Sequence, residues 1–179
     1  MCYRGEVKTF SIGRAGTKFT VHKALLCHYS EYFRAALTGD FKEATQDVIT
    51  LDDVYASVFA QFVDWLYAQH LRLPEDLPIK EAGEMVGTRP YAHGVCGKHL
   101  VFLCESSSPH HLRYTELLNL YIFADAYDIP YLRQDCLWEI HQLSFENKCV
   151  PSAFLIRYAY KRLPESSKLL QYLIKLFIN

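Results

Sequence analysis

Apolar residues alternate at Phe10 and Ile12 and again at Phe19 and Val21, on either side of Gly13-Arg14-Ala15-Gly16-Thr17. Period two around a glycine-containing turn predicts a β-hairpin, with strands near Val7 to Ile12 and Lys18 to Val21. At His22 the period changes. Leu25, Leu26, Phe33, Ala36 and Leu37 recur at helical spacing, which predicts two short helices before Thr38-Gly39-Asp40, the second capped by Ser30 and ended by Gly39. Val48-Ile49-Thr50-Leu51 reads as a short β-branched strand, and Asp52-Asp53 are expected to cap the next helix and complement its positive end. Val58, Phe59, Phe62, Val63, Leu66 and Tyr67 then build one apolar face from about Tyr55 to His70, with Gln61, Asp64 and Gln69 on the wetter side.

Between Leu71 and Leu112 the periodicity is lost among Pro74, Pro78, Gly83, Gly87, Pro90, Gly94, Gly97, Ser106-Ser107-Ser108 and Pro109. Such a stretch inside a domain reads as a surface insertion. Within it, Leu100-Val101-Phe102-Leu103 in the segment Lys98 to Cys104 has the composition of a short strand. Helical spacing resumes at Leu117, Leu118, Tyr121, Ile122 and Ala124 and breaks at Asp128-Ile129. It restarts with Pro130 at a first-turn position and continues through Tyr131, Leu132, Cys136, Ile140 and Leu143. After Asn147 two further amphipathic helices are expected, one with Phe154, Leu155, Tyr158 and Ala159, the other with Leu169, Leu170, Leu173, Ile174 and Phe177. They are too short to close a core alone, so they must pack on the main domain or on something else.

Composition narrows the function. Half of the 179 residues are apolar and 15% aromatic, enough for one folded domain with a short extension. A net charge of -1 supplies no field to recruit nucleic acid, and nucleic acid is not an expected partner. No uncharged apolar run reaches the ~18 residues of a bilayer span, and Met1 to Glu6 lack the apolar core of a signal peptide, so no membrane association is expected and the cytoplasm or nucleus is the expected location. The six cysteines, Cys2, Cys27, Cys96, Cys104, Cys136 and Cys149, are scattered without a C-x-x-C pair and read as reduced thiols.

Enzymatic motifs are missing. There is no G-x-S-x-G, no phosphate-cradling glycine loop and no H-E-x-x-H, and Cys27 and Cys136 fall in helical patterns where a thiol is a small apolar filler. No catalytic residue and no cofactor are expected. His22, at a strand-to-helix junction, is expected to bond a neighbouring backbone group rather than move protons. The insertion gathers His93, Cys96, His99, Cys104, His110 and His111. Cys96-x2-His99-x4-Cys104-x5-His110 carries ligand types that tetrahedral zinc prefers, but in permuted order, and loops collect histidine by chance. No metal is expected; a zinc-ordered regulatory or nucleic-acid-binding role for the insertion is the alternative.

The order of particular residues carries a resemblance. Phe19-Thr20-Val21-His22-Lys23-Ala24-Leu25-Leu26, Ser30-Glu31-Tyr32-Phe33, Phe41-Lys42-Glu43, Val48 to Leu51 and Ala124-Asp125-Ala126-Tyr127-Asp128-Ile129 follow one another as in a BTB/POZ domain. The chain resembles that family over about Val7 to Leu143. The resemblance implies an α+β fold, a small sheet flanked by helical hairpins, with residues 1–143 as the domain, the insertion at about 71–112, and 144–179 as a helical C-terminal extension similar to that of short fungal BTB proteins.

The family resemblance also implies a non-catalytic role in joining proteins, as an adaptor or scaffold. Many members dock on a cullin scaffold in ubiquitin ligases through a hydrophobic-x-Glu motif after the second early helix, and Phe41-Lys42-Glu43 matches it by position and type. Tyr32, Phe33, Phe41 and Glu43 are therefore the expected protein-binding residues. Phe41-Lys42-Glu43 also reads as a solvated turn whose phenylalanine covers the edge of its own core. Homo-oligomerisation stays open, and a stand-alone oligomerising domain is a further alternative. Only Met1 to Glu6 precede the first strand, where many members carry an additional helix that packs across a dimer.

Overall fold

β1 (Val7–Ile12) and β2 (Thr17–His22) pair antiparallel with Phe10 opposite Phe19. Their turn needs its two glycines: Gly13 and Gly16 both adopt φ of 66°, a region unfavourable to residues with a Cβ. β3 (Val48–Leu51) adds on the other side of β1, parallel to it, to give the order β2-β1-β3. The computed structural model to which this description refers covers residues 5–71, 102–103, 109–147 and 149–178. It divides into two compact units; among the described residues the first holds 5–71 and 123–135.

α1 (Lys23–Tyr29) and α2 (Glu31–Thr38) follow the hairpin. As expected from the sequence, Ser30 caps α2, its Oγ accepting the Phe33 N–H at 3.0 Å. Gly39 ends α2 by a different route from the left-handed turn common at such positions. It is extended, and a Cβ there would lie 2.7 Å from the Ala35 carbonyl, so the chain turns where only glycine leaves room. A one-turn helix, α3 (Lys42–Thr45), precedes β3.

α4 (Ala56–Ala68) is shorter than expected at both ends. Asp52 and Asp53 lie in a turn upstream, separated from the helix by Val54 and Tyr55, so neither carboxylate caps it; the N-cap is Tyr55, which makes no side-chain cap. Gln69, in left-handed conformation with φ of 60°, closes the other end.

The core of this unit is aromatic. Phe10, Phe33, Phe59 and Phe62 are almost fully buried, Phe10 meeting Phe33 edge-on with centroids 5.7 Å apart and Phe59 meeting Phe62 likewise at 5.6 Å. The end of α5 (Pro109–Ala126) and the start of α6 (Pro130–Asn147) complete it, Phe123 lying 5.1 Å from Phe62. Between these helices Asp128 takes φ of 46°, and the Ile129 N–H reaches back to the Ala124 carbonyl at 2.8 Å, the six-to-one bond of a helix stop. Arg133 braces the stop by bonding both Asp125 and Asp128.

The second unit, among the described residues, holds 102–103, 109–122, 136–147 and 149–178. β4 (Phe102–Leu103), within the expected strand segment, pairs parallel with β5 (Cys149–Val150). Tyr114 is fully buried; its hydroxyl donates to the Cys149 carbonyl at 2.8 Å and lies 2.9 Å from Ser144 Oγ. α5 begins at Pro109, so the last residues of the expected insertion are helical. Residues 72–101 and 104–108 of that insertion lie outside the described residues.

Both expected C-terminal helices are present, α7 (Ala153–Tyr160) and α8 (Lys168–Ile178). Their inner faces are narrower than the apolar pattern implies. Leu155 and Ala159, one helical turn apart, are buried, whereas Phe154 and Ile174 stand exposed. No described helix is long and apolar enough to cross a membrane.

Candidate protein-interaction surface

The surface is built from the chain that leaves α2. Because Gly39 lets the backbone turn sharply, Phe41 follows at once, and a Cβ on Gly39 would sit 3.2 Å from the Phe41 ring. Phe41 is 60% exposed, the position at which an aromatic side chain is available to another molecule rather than to its own core. Glu43 follows in the first turn of α3, half-buried. Tyr32, on α2, is 47% exposed and packs edge-on against Tyr127, with centroids 5.1 Å apart.

Phe33 is the correction among the four expected residues. It is 1% exposed, stacked on Tyr127 at 5.3 Å and on Phe62 at 6.2 Å. The Tyr32 ring meets it edge-on at 5.5 Å and stays at the surface, whereas Phe33 belongs to the core and is not available to a partner.

What holds the α3 turn in place is Lys8, which the sequence reading did not single out. Lys8 shares the inward face of β1 with Phe10 and Ile12, and its ammonium donates to the carbonyls of Ala44 at 3.0 Å and Gln46 at 3.4 Å. A cation placed on the last carbonyls of a helix satisfies acceptors that the helix cannot. The signal was legible in the parity of the strand: Lys8, Phe10 and Ile12 share one face at period two.

Glu6 completes a small charged cluster next to it, 3.0 Å from Lys23 and 3.6 Å from Lys8. The hydrogen bond from Lys23 holds the Glu6 carboxyl below the usual glutamate range, against a smaller opposing effect of desolvation.

Tyr127 is pressed between Phe33 and Phe123 and receives on its carbonyl a hydrogen bond from Ser30 Oγ at 2.6 Å. Burial first, and the charges of Tyr32 and Asp53 second, push its phenol up to about 12. The segments Ser30-Glu31-Tyr32-Phe33 and Ala124 to Ile129, far apart in sequence, are thus one packing unit.

The His22 ring, expected to bond a backbone group, also meets a side chain. Its Nδ1 lies 2.6 Å from the Tyr67 hydroxyl, which also accepts the His22 backbone N–H at 3.2 Å. Cys27 is half-buried with its thiol pushed up by burial, and Cys136 and Cys149 are buried, as fillers would be. His93, Cys96, His99 and Cys104 lie outside the described residues, and among the described residues no three metal-ligating side chains gather.

Residues 8–85 match the family model described as the BTB/POZ domain. Kelch-like protein 26 of Homo sapiens is 41% identical over 58 residues, which cover 32% of this chain and 9% of that protein. Kelch-like protein 26 of Danio rerio is 29% identical over 131 residues, 73% of this chain and 20% of that protein. Kelch repeat and BTB domain-containing protein 4 of Mus musculus is 38% identical over 66 residues, 37% of this chain and 12% of that protein. The chain therefore spans a fifth or less of the length of these relatives. Among solved structures, the BTB domain of human gigaxonin aligns with a TM-score of 0.42 at 16% identity, covering 72% of each chain.

Proposed function

We propose that the BTB/POZ domain carried by this chain is the docking part of an adaptor that joins a cullin scaffold of a ubiquitin ligase to other proteins, in the cytoplasm or nucleus. The domain is a protein-interaction module, and the observation that carries the finer reading is the exposed Phe41 with Glu43 two residues later on a turn anchored by Lys8. An aromatic side chain held out by a fixed backbone loses little entropy when a partner groove closes over it. Glu43, half-buried beside it, sets the orientation of the encounter through its charge. Tyr32, exposed on α2, is the further residue assigned here to the docking surface, and residues 144–179 are assigned as a C-terminal extension.

The test is co-elution of the full chain with the N-terminal domain of a cullin on a sizing column with light scattering. A complex containing both proteins supports the reading. A mass that shows only this chain, alone or self-associated, contradicts it.

A further inference from the structure

A second recognition site lies on the same unit and shares no residue with the Phe41 turn. The ends of α1 and α4 and the first turns of α6 bound a cleft of about 380 Å³, lined by His28, Tyr29, Trp65, Gln69, Tyr131 and Asp135. The Tyr29 ring stands at 72° to Trp65 and at 86° to Tyr131, with centroids 5.4 and 6.3 Å away, so the rings form walls at right angles. Trp65 is 2% exposed and donates its indole N–H to Asp135 Oδ2 at 2.7 Å. That bond fixes the carboxylate at the cleft and leaves its other oxygen to accept.

The cleft has the charge and the surfaces for a cation but supplies none itself. No lysine or arginine lines it, and among the described residues Asp135 has no basic partner. Tyr131 is 62% exposed, a large ring kept at the mouth instead of in the core. An aromatic face attracts a cation through its quadrupole, and a planar guanidinium both stacks on such a face and donates to a carboxylate beside it. An ammonium has the charge without the plane, a neutral donor can bond Asp135 but brings no charge, and an acidic side chain is repelled by it.

We propose that this cleft binds an arginine side chain of a partner protein, its guanidinium over Tyr131 and donating to Asp135 Oδ1. This contact does not depend on cullin docking, and its test does not use a cullin.

The experiment uses the full chain with Trp138→Phe, an exposed position, so that Trp65 is the single fluorescent indole. The probes are acetyl-Gly-Arg-Gly-amide, its citrulline isostere and its lysine counterpart. The arginine peptide is expected to change Trp65 emission saturably in the millimolar range, as befits one side chain. The citrulline peptide should bind about tenfold more weakly or worse, because its neutral urea keeps the donors but loses the positive charge that pairs with Asp135 and the ring face.

Asp135→Asn should cost the arginine peptide about tenfold, while its amide oxygen still accepts the indole N–H and keeps the fold. Tyr131→Ala, at an exposed position, should cost about threefold or more. If Asp135→Asn does not fold, the peptide comparison on unaltered Asp135 and the Tyr131→Ala variant still decide. Absence of saturation, equal binding of the arginine and citrulline peptides, or equal binding of the lysine peptide would overturn the proposal.

Discussion

Lys8 Nζ lies 3.0 Å from the carbonyl oxygen of Ala44, 36 positions further along the chain. The bond ties the inner face of β1 to the end of the turn that presents Phe41. Lys8→Met keeps the aliphatic stem and removes the donors. We expect a loss of about 1–2 kcal/mol in urea denaturation and faster amide exchange at Gln46, whose N–H bonds the Lys42 carbonyl at 3.1 Å. Unchanged exchange at Gln46 would mean that α3 holds itself.

Ser30 serves two elements at once, accepting from the Phe33 N–H and donating to the Tyr127 carbonyl, and is 1% exposed. Ser30→Ala loses the cap of α2 and leaves a part-buried carbonyl short of a donor. The expected cost is about 2–3 kcal/mol, read from the denaturation midpoint. Ser30→Thr should recover part of it.

These two residues also mark what the sequence could and could not disclose. The hairpin, both early helices and the Ser30 cap followed from local signals, namely period two, period 3.6 and a capping side chain before an apolar run. Phe41 and Glu43 stood out by their position after the second helix. The Ser30–Tyr127 bond and the Trp65–Asp135 bond were not legible, because each joins residues 70 or more positions apart and only the tertiary fold brings them together. Phe33 shares the helical spacing of Ala36 and Leu37, which already puts it on the apolar face of α2, and in the structure it is Phe33 that is buried and Tyr32 that is exposed. Asp52 and Asp53 misled because a carboxylate near a helix start caps it only at the right offset.

Acid should weaken the cluster at the edge of β1. Glu6 is held below the usual glutamate range mainly by Lys23. A folded-state value depressed in this way contributes stability above the unfolded glutamate range, and that contribution is lost as the pH falls through the folded value. Glu6→Gln is expected to flatten the acid limb of a stability–pH profile. The difference from the unaltered protein should shrink in high salt, since Glu6 is solvent-exposed.

Alkali should act through Tyr127. Its phenol is pushed up to about 12, chiefly by burial, whereas in the unfolded chain it ionises near ~10. The unfolded state then loses its proton first, so stability falls as the pH rises between these values. Denaturation midpoints at successive pH values should show a shallower alkaline decline for Tyr127→Phe. A decline of equal slope would assign the effect to other tyrosines.

The account stands or falls with the aromatic side chain that the α2–α3 turn holds out to solvent. Calorimetric titration of a cullin N-terminal domain into the full chain, beside Phe41→Ala and Glu43→Ala, measures it directly. We expect Phe41→Ala to weaken binding by about 2 kcal/mol or more, roughly 30-fold, and Glu43→Ala by about 1 kcal/mol, with melting temperatures unchanged. Equal affinity of all three proteins, or no heat of binding with any of them, would contradict it.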